Sequence, residues 1–367
     1  MRLPNYDGAG LVNLIAELEV RLTGSSESPG LVANLAAAIP DAETYVLVLF
    51  DGLGDLQLTA HPEGGALVRH RAGALDASFS TQTSVATATL ATGLPPARHG
   101  LISYLLRFTG SEKPVNTLWW FDTDGNPADV NHSSFLPAPN LAERLSGHGV
   151  EAVVIEPDAF LGSPLDRVLY RGAPTRGVED VTSMAPAVLE EAARRGRLVV
   201  CYLPYVDAAG HVEGTASEAY SEALRLVTGV WEAIGEGLPS YAAMVGTADH
   251  GIVDIERHIE VTPPESVTLY GDSRVVYVSG NADEAERLAA DLPATWVTGD
   301  DLDGLWGPGP THADFDRRKP DGLLVADAGV GFLYPGNDLP LAGNHGGLTE
   351  EEMRIPLLVY LSAPNDQ

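Results

Sequence analysis

Five apolar segments rich in aliphatic and β-branched residues constrain the fold most, because each has the length and composition of a buried strand. They cover residues 45–50, 152–155, 198–203, 241–247 and 355–360. Helical patterns lie between them, at residues 140–146, 183–194 and 216–235. Strands that alternate with helices predict an α/β fold with a mostly parallel central sheet, flanked by helices on both faces.

Two regions interrupt this alternation. Residues 105–138 combine aromatic and polar residues with several prolines, which indicates a loop-rich excursion over the sheet edge. Residues 255–335 carry short strand candidates, one helical pattern and a Gly/Pro-rich loop, which indicates a small α+β cap. Since 367 residues exceed the usual size of a single core, we predict a core formed by residues 1–254 and 336–367, with 255–335 as an inserted cap subdomain.

The charge balance limits the partners. The chain has 51 acidic and 22 basic residues and a formal net charge of −29, which disfavours binding to nucleic-acid polymers or anionic lipids. Solubility alone explains such an excess, and retention of divalent cations is the alternative. Cys201 is the only cysteine, and its apolar surroundings predict a buried, inert thiol. Residues 1–17 lack a signal-peptide pattern, and no apolar run reaches the ~18 residues of a membrane span, so we expect a cytoplasmic protein.

Acidic residues and histidines lie next to the ends of four of the predicted strands. Asp51 follows the first strand, Asp207 and His211 follow the third, Asp249 and His250 follow the fourth, and His345 precedes the fifth. Each has an ordinary explanation as a turn residue, a helix cap or a surface histidine. A dinucleotide-binding glycine motif after the first strand is excluded, because position 57 is glutamine.

These six residues together indicate a function more specifically than any one of them does. Ligands gather at the carboxyl edge of open parallel sheets, where these elements supply three carboxylates and three imidazoles. That donor set suits zinc, with manganese as the alternative. Six ligands exceed one tetrahedral ion and fit two ions roughly 4 Å apart, the arrangement that supports phosphoryl displacement.

A hydroxyl nucleophile is available in the segment Ser80–Gly93. Small and apolar residues at 84–92 predict a helix that ends at Gly93. We therefore expect Thr83 at the N-cap, where the helix N-terminus favours a bound phosphate. A simple capping role for Thr83 is the alternative.

These residues lie in motifs that occur in order along the chain. The motifs are Leu49-Phe50-Asp51-Gly52, Thr83 with Gly93 ten residues later, Leu94-Pro95-Pro96-Ala97-Arg98-His99-Gly100, Asp207-Ala208-Ala209-Gly210-His211, Asp249-His250-Gly251 and His345-Gly346. With them the sequence resembles the alkaline phosphatase superfamily, and within it the type I phosphodiesterase / nucleotide pyrophosphatase family.

The resemblance implies roles that spacing alone does not assign. It implies that Thr83 is the nucleophile and that two groups of residues bind one metal ion each: Asp51, Thr83, Asp249 and His250 in one, and Asp207, His211 and His345 in the other. The implied substrate is a small phosphoester or nucleotide. Tyr104 stands where the family usually has an asparagine that holds a phosphoryl oxygen, so we expect Tyr104 in the substrate site and leave diester or monoester preference open.

Other functions remain compatible with the sequence. A phosphomonoesterase or a phosphomutase would use the same scaffold. Monoesterases of the resembled superfamily bind phosphate with an arginine, and Arg98 and Arg107 are the two candidates for such a contact here. A non-catalytic, metal-dependent binding protein is the alternative from another class. The aromatic residues Trp119, Trp120, Phe121, Trp296 and Trp306 would either stack on a base or pack the two interrupting regions.

Overall fold

The computed structural model describes residues 1–108, 111 and 113–360, so the part of the predicted core after residue 360 lies outside the described residues. The strands are β1 Thr44–Phe50, β2 Arg71–Asp76, β3 Leu105–Leu106, β4 Val115–Asn116, β5 Glu151–Pro157, β6 Thr175–Val178, β7 Arg197–Leu203, β8 Ala242–Thr247, β9 Val253–Asp254, β10 Arg257–Glu260, β11 Val267–Gly271, β12 Val275–Gly280, β13 Ala294–Thr298, β14 Gly322–Ala326, β15 Val330–Leu333, β16 Gly343–Asn344 and β17 Arg354–Val359.

The α-helices range from single turns of four residues to the 20 residues of α11. They are α1 Leu11–Thr23, α2 Ala33–Ala36, α3 Asp55–Ala60, α4 Gly65–Val68, α5 Thr83–Thr92, α6 Pro96–His99, α7 Leu141–Gly147, α8 Pro164–Leu169, α9 Met184–Ala192, α10 Tyr205–Glu213, α11 Glu218–Gly237, α12 Ala282–Ala290, α13 Phe315–Arg318 and α14 Glu350–Met353. Within the described ranges, no helix is both long enough and apolar enough to cross a membrane.

The central sheet has seven strands in the order β2-β17-β8-β1-β7-β5-β6. Six run in the same direction, and only β17 is antiparallel to its neighbours β2 and β8. All seven residues of β1 are buried. Because successive side chains point to opposite faces of a strand, this pattern means that both faces are covered. The predicted α/β fold is confirmed.

The five predicted strands correspond to β1, β5, β7, β8 and β17, with small differences at their ends. The sequence did not indicate β2, because residues 71–76 read Arg-Ala-Gly-Ala-Leu-Asp and lack the β-branched residues that favour strands. This edge strand forms through its pairing with β17.

A second sheet lies beside the first, with six antiparallel strands in the order β13-β14-β12-β11-β3-β4. It has its own hydrophobic cluster, which includes Tyr277, Trp306 and Phe332. Residues 105–138 are rich in loops, as predicted, and their two short strands, β3 and β4, extend this second sheet. The division into a core and an inserted cap at 255–335 stays a prediction.

A buried ion pair joins the two sheets. The guanidinium of Arg274, just before β12, lies 3.2 Å from a carboxylate oxygen of Glu352 in α14, which leads into β17. Both side chains are almost completely buried. Glu352 also accepts a hydrogen bond of 2.9 Å from the backbone N–H of Gly347. The pair thus holds the segment that carries His345 against both sheets.

Replacement of the buried cation tests this role. Arg274→Met leaves the Glu352 carboxylate buried without its partner, so we expect a loss of about 3–5 kcal/mol in the free energy of unfolding. Urea denaturation followed by fluorescence measures the change. The control is Arg287→Met, since that side chain is largely exposed, and we expect it to stay within about 0.5 kcal/mol of the unmodified protein. A loss below about 1 kcal/mol for Arg274→Met would contradict the assignment.

Candidate active site

The carboxyl edge of the central sheet brings the predicted residues together. Asp51 directly follows β1, Asp249 and His250 lie just after β8, and the pair Asp207 and His211 lies on α10 after β7. His345 directly follows β16, which pairs with β9. Neighbouring parallel strands end at the same edge, so Asp51 and Asp249 lie close together although 198 positions separate them in the sequence.

Gly52 allows this close approach. Its φ angle is +73°, a left-handed conformation that favours glycine. A Cβ atom at this position would lie 2.8 Å from the Cα of Asp207. The backbone N–H of Asp207 also donates a hydrogen bond of 3.1 Å to the carbonyl of Asp51. A larger residue at position 52 would therefore separate the β1 and α10 parts of the site.

Thr83 is the first residue of α5, and Gln82 is the N-cap. Our placement of Thr83 at the N-cap was wrong by one residue. Gln82 has an extended backbone, and its carbonyl accepts the first helical hydrogen bonds, from Val85 and Ala86. The Thr83 hydroxyl lies 3.2 Å from Nε2 of His250. The residues that follow it in α5 are buried, whereas Thr83 is half-buried and lines a cleft.

The six acidic and histidine side chains form two groups of three. In the first group, Nε2 of His250 lies 3.2 Å from Asp249 and 3.6 Å from Asp51. In the second, Nε2 of His211 lies 3.2 Å from Asp207, and Nε2 of His345 lies 3.6 Å from the same carboxylate. Within each group the ligand atoms all lie within 4.8 Å of one another.

Histidines of the two groups are in direct contact. The rings of His250 and His345 stack with centroids 3.6 Å apart, and the Nε2 atoms of His345 and His211 are 3.2 Å apart. The two groups are thus close enough to act on one substrate atom.

Hydrogen bonds orient the three imidazoles. Nδ1 of His211 faces the carbonyl of Gly343 at 2.8 Å, Nδ1 of His345 faces that of Thr81 at 2.7 Å, and Nδ1 of His250 faces that of Gly251 at 3.2 Å. A carbonyl oxygen only accepts, so each Nδ1 is assigned the proton. In the neutral imidazole, each Nε2 then directs a lone pair into the site, which is the form in which a histidine binds a metal ion.

The carboxylates carry uncompensated oxygens. Asp51 Oδ1, Asp207 Oδ1 and Asp249 Oδ2 are buried and have no hydrogen-bond partner among the described residues. The other oxygen of Asp51 accepts a hydrogen bond from the hydroxyl of Tyr202. Orphaned buried oxygens beside three imidazole lone pairs form a donor set that fits divalent cations.

Burial and mutual charge shift the protonation of these groups. Burial, together with the charges of Asp249 and Asp207, raises the pKa of Asp51 well above its usual value. Burial opposes ionisation of Asp207, but the neighbouring His211 outweighs it and lowers the pKa of that carboxyl. Burial disfavours the protonated form of His211, but the negative charge of Asp207 outweighs burial and raises the pKa of His211 to about 9. Burial and His250 hold the pKa of His345 well below its usual value.

A cleft of about 300 Å³ opens beside Thr83. Its walls include Leu118, Trp119, Phe160 and Leu169, so they are mainly apolar. None of its described lining residues is an arginine or a lysine. Arg98 instead pairs with Glu27, and Arg107 is exposed, near the ring of Tyr270. The two arginines proposed from the sequence therefore lie outside the cleft.

The aromatic candidates differ in position. Trp119 lines the cleft, and Trp120 and Trp306 are buried in the second cluster. Trp296 packs against that cluster, and Phe121 is 44% exposed. Of these five, only Trp119 is placed to contact a molecule in the cleft.

Tyr104 lies next to Gln82. Its backbone N–H donates to the side-chain oxygen of Gln82, and its hydroxyl accepts a hydrogen bond of 2.6 Å from the amide of Asn116. The hydroxyl proton of Tyr104 therefore remains available for donation. Tyr104 is not among the described residues that line the cleft, and its contact with a substrate stays a prediction.

The cleft residues that were not identified from the sequence include Glu156, Asp166 and Tyr202. Glu156 comes directly after the predicted strand 152–155, so the rule that identified Asp51 applied to it equally. Tyr202 lay within a predicted strand, and the sequence gave no signal for its bond to Asp51. Asp166 belongs to α8, whose position depends on tertiary contacts.

Residues 45–347 match the family model described as type I phosphodiesterase / nucleotide pyrophosphatase. The fold is similar to murine ectonucleotide pyrophosphatase / phosphodiesterase 5, with a TM-score of 0.66 and 19% identity over 86% of this chain and 87% of that chain. It is also similar to phosphonoacetate hydrolase from Sinorhizobium meliloti 1021, with a TM-score of 0.62 and 16% identity over 89% of this chain and 93% of that chain. No curated protein matches the chain.

Removal of divalent cations tests the two groups. A ligand that binds only the folded state stabilises it, by about 2.7 kcal/mol at a free concentration of 100 times its Kd. We therefore expect dialysis against a chelator to lower Tm and added zinc to restore it, as measured by scanning calorimetry. Elemental analysis should find less bound metal in His211→Ala than in the exposed control His148→Ala. Equal metal content in the two variants would argue against the second group.

Proposed function

The chain belongs to the type I phosphodiesterase / nucleotide pyrophosphatase family, which acts on phosphoester bonds with the aid of metal ions, and from that premise we propose a more specific function. The protein is a phosphodiesterase that cleaves small phosphodiesters or nucleotides, with the Thr83 hydroxyl as the nucleophile. The observation that carries the proposal is the position of that hydroxyl, 3.2 Å from His250 and on the wall of the apolar cleft.

The residues present fit two divalent cations, with zinc preferred and manganese as the alternative. We propose that Asp51, Asp249 and His250, together with the Thr83 hydroxyl, hold one ion and that the second group, Asp207, His211 and His345, holds the other. When bound, the two ions would neutralise charge on the attacking and leaving oxygens and make a hydroxyl or a water more acidic. The unpartnered oxygens and the inward Nε2 atoms support this assignment.

The chain's own groups supply positioning. The N-terminus of α5, a helix of ten residues, presents free N–H groups and a positive dipole end beside Thr83. These favour the negatively charged phosphoryl group next to the nucleophile. The Thr83 hydroxyl loses its proton to solvent and bonds to phosphorus, the bond from phosphorus to the departing alcohol oxygen breaks, and that oxygen takes up a proton from solvent and leaves as the alcohol. Water then cleaves the ester to Thr83 and regenerates the hydroxyl.

The cleft favours a diester over a monoester. A monoester carries more negative charge than a diester, and the described lining residues include no arginine or lysine to bind it. The apolar walls suit the second ester arm that only a diester has. A structure of a threonine-to-alanine variant of the murine neighbour, described as inactive, contains AMP, which is consistent with nucleotides as candidate substrates here.

A comparison of two chromogenic substrates separates the rival functions. We expect hydrolysis of bis-p-nitrophenyl phosphate to exceed that of p-nitrophenyl phosphate, and a chelator to abolish both. The absorbance of released p-nitrophenolate at about 405 nm measures the rate and gives kcat/KM for each substrate. The opposite preference would indicate a phosphomonoesterase. Absence of both activities in the zinc-loaded protein would favour a phosphomutase or a metal-dependent binding protein.

Removal of the nucleophile tests Thr83 directly. We expect Thr83→Ala to lower kcat for bis-p-nitrophenyl phosphate at least about a hundredfold, since loss of a covalent nucleophile costs about 3 kcal/mol or more. The control is Ser84→Ala, because the adjacent Ser84 hydroxyl bonds to Thr117 at 2.8 Å rather than facing the cleft. Elemental analysis of both variants should show that metal is retained. Turnover at the unmodified rate in Thr83→Ala would exclude the proposed role.

A further inference from the structure

The cleft beside Thr83 contains two acidic side chains that the proposed chemistry does not use. Glu156 lies near the carboxyl end of β5, and Asp166 lies on α8. Both line the same cleft as Thr83 and Asp207. Neither belongs to the two groups suited to metal ions.

The sheet register places Glu156 relative to the site. Ile155 of β5 aligns with Cys201 of β7, so the next pair along the strands is Glu156 and Tyr202. Aligned residues of adjacent parallel strands point to the same face, and Tyr202 binds Asp51 through its hydroxyl. Since β5 is two strands from β1, Glu156 lies roughly 10 Å from the end of β1, at about 4.8 Å per strand.

The two carboxyl groups are buried, and each has an oxygen without a hydrogen-bond partner among the described residues. Glu156 is 3% exposed and Asp166 is 8% exposed. Glu156 Oε1 and Asp166 Oδ1 have no hydrogen-bond partner among the described residues. The other oxygen of Asp166 accepts a hydrogen bond of 2.6 Å from the backbone of Gly162. Burial, together with the charge of Asp166, raises the pKa of Glu156 to about 8. A cation beside this pair would offset its desolvation.

We infer that Glu156 and Asp166 form a subsite for a positively charged amine in the retained arm of the substrate, such as the ammonium group of an amino-alcohol phosphodiester. The inference rests on the proposed phosphodiesterase function and specifies its substrate class. In this arrangement the phosphoryl group lies beside Thr83, and the ammonium group lies between the two carboxylates.

Three features favour an organic cation over other occupants. The pair lies in neither of the described groups of three ligands, so it offers only two carboxylates to a metal ion. The neighbouring rings of Phe160 and Tyr170 line the same cleft, and aromatic faces attract organic cations. A cleft of about 300 Å³ lies at the low end of the range for small-molecule sites, which suits a compact headgroup.

Two substrates that differ only in one positive charge test whether the cleft recognises that charge. The p-nitrophenyl ester of phosphocholine and its neutral isostere, in which carbon replaces the ammonium nitrogen, release the same chromophore and have the same shape. We expect the zinc-loaded protein to prefer the cationic ester by about tenfold or more in kcat/KM, the size of a charge-assisted contact. The p-nitrophenyl ester of thymidine monophosphate represents a nucleotide arm.

Two variants and a control test whether Glu156 and Asp166 cause the preference for the cationic ester. Glu156→Gln and, independently, Asp166→Asn should lower the ratio of cationic to neutral kcat/KM by about tenfold, mainly through KM. Glu179→Gln is the matched control, because Glu179 follows β6 at the same edge but is exposed and outside the cleft, and it should leave the ratio unchanged. Circular dichroism checks the fold of each variant.

The outcomes separate the inference from the proposed function. Equal kcat/KM for the cationic and neutral esters in the unmodified protein would overturn the subsite while phosphodiesterase activity stands. A preference for the thymidine ester over the phosphocholine ester, or a ratio insensitive to both variants, would also overturn it. Hydrolysis of none of these esters, nor of bis-p-nitrophenyl phosphate, would instead refute the proposed function on which the subsite depends.

Discussion

The main constraint on this structure is the mutual repulsion of three carboxylates that the fold brings together at the carboxyl edge of the central sheet. Asp51 and Asp249 are buried and Asp207 is mostly buried. Full ionisation of all three without cations would place like charges in a medium of low polarity, which is unfavourable by several kcal/mol. The raised pKa of Asp51 expresses this conflict. The fold keeps the residues together through backbone contacts, such as that between Asp207 and Asp51, and leaves a negative charge that divalent cations would balance under the proposed function.

The sequence was sufficient to predict the central sheet and the side chains gathered at its edge. Continuous apolar strands such as 45–50 and 198–203 bury both faces, so their composition alone identifies them. Parallel strands end at one edge, and therefore Asp51, Asp207 and Asp249 were expected to be close without knowledge of the contacts between strands. The helix that carries Thr83 was also predicted, and only its first residue differed, because N-cap identity depends on the backbone angles of Gln82.

Features that depend on long-range pairing could not be read from the sequence. The strand β3 has two residues and exists because Leu105 pairs with Gly271 of β11. The partner of Arg274 is 78 positions away in the chain, and neither residue is distinguished by its neighbours in sequence. Tyr202 belongs to the same class, since its apolar strand gives no sign of the hydroxyl that reaches Asp51. Such contacts are selected by tertiary packing, which local propensity does not determine.

The sheet edge also explains why one cleft contains two kinds of acidic site. Near β1, β7 and β8, each carboxylate is close to an imidazole, and the mixed donor set suits a metal ion. Two strands away, near β5, Glu156 and Asp166 are also buried, and they belong to neither of the histidine-containing groups found among the described residues. Burial makes a positive partner favourable at both places, and the neighbouring donors decide its type. Under the proposed function, the same strand geometry would provide a site for the reacting phosphoryl group and, two strands away, a site for the rest of the substrate.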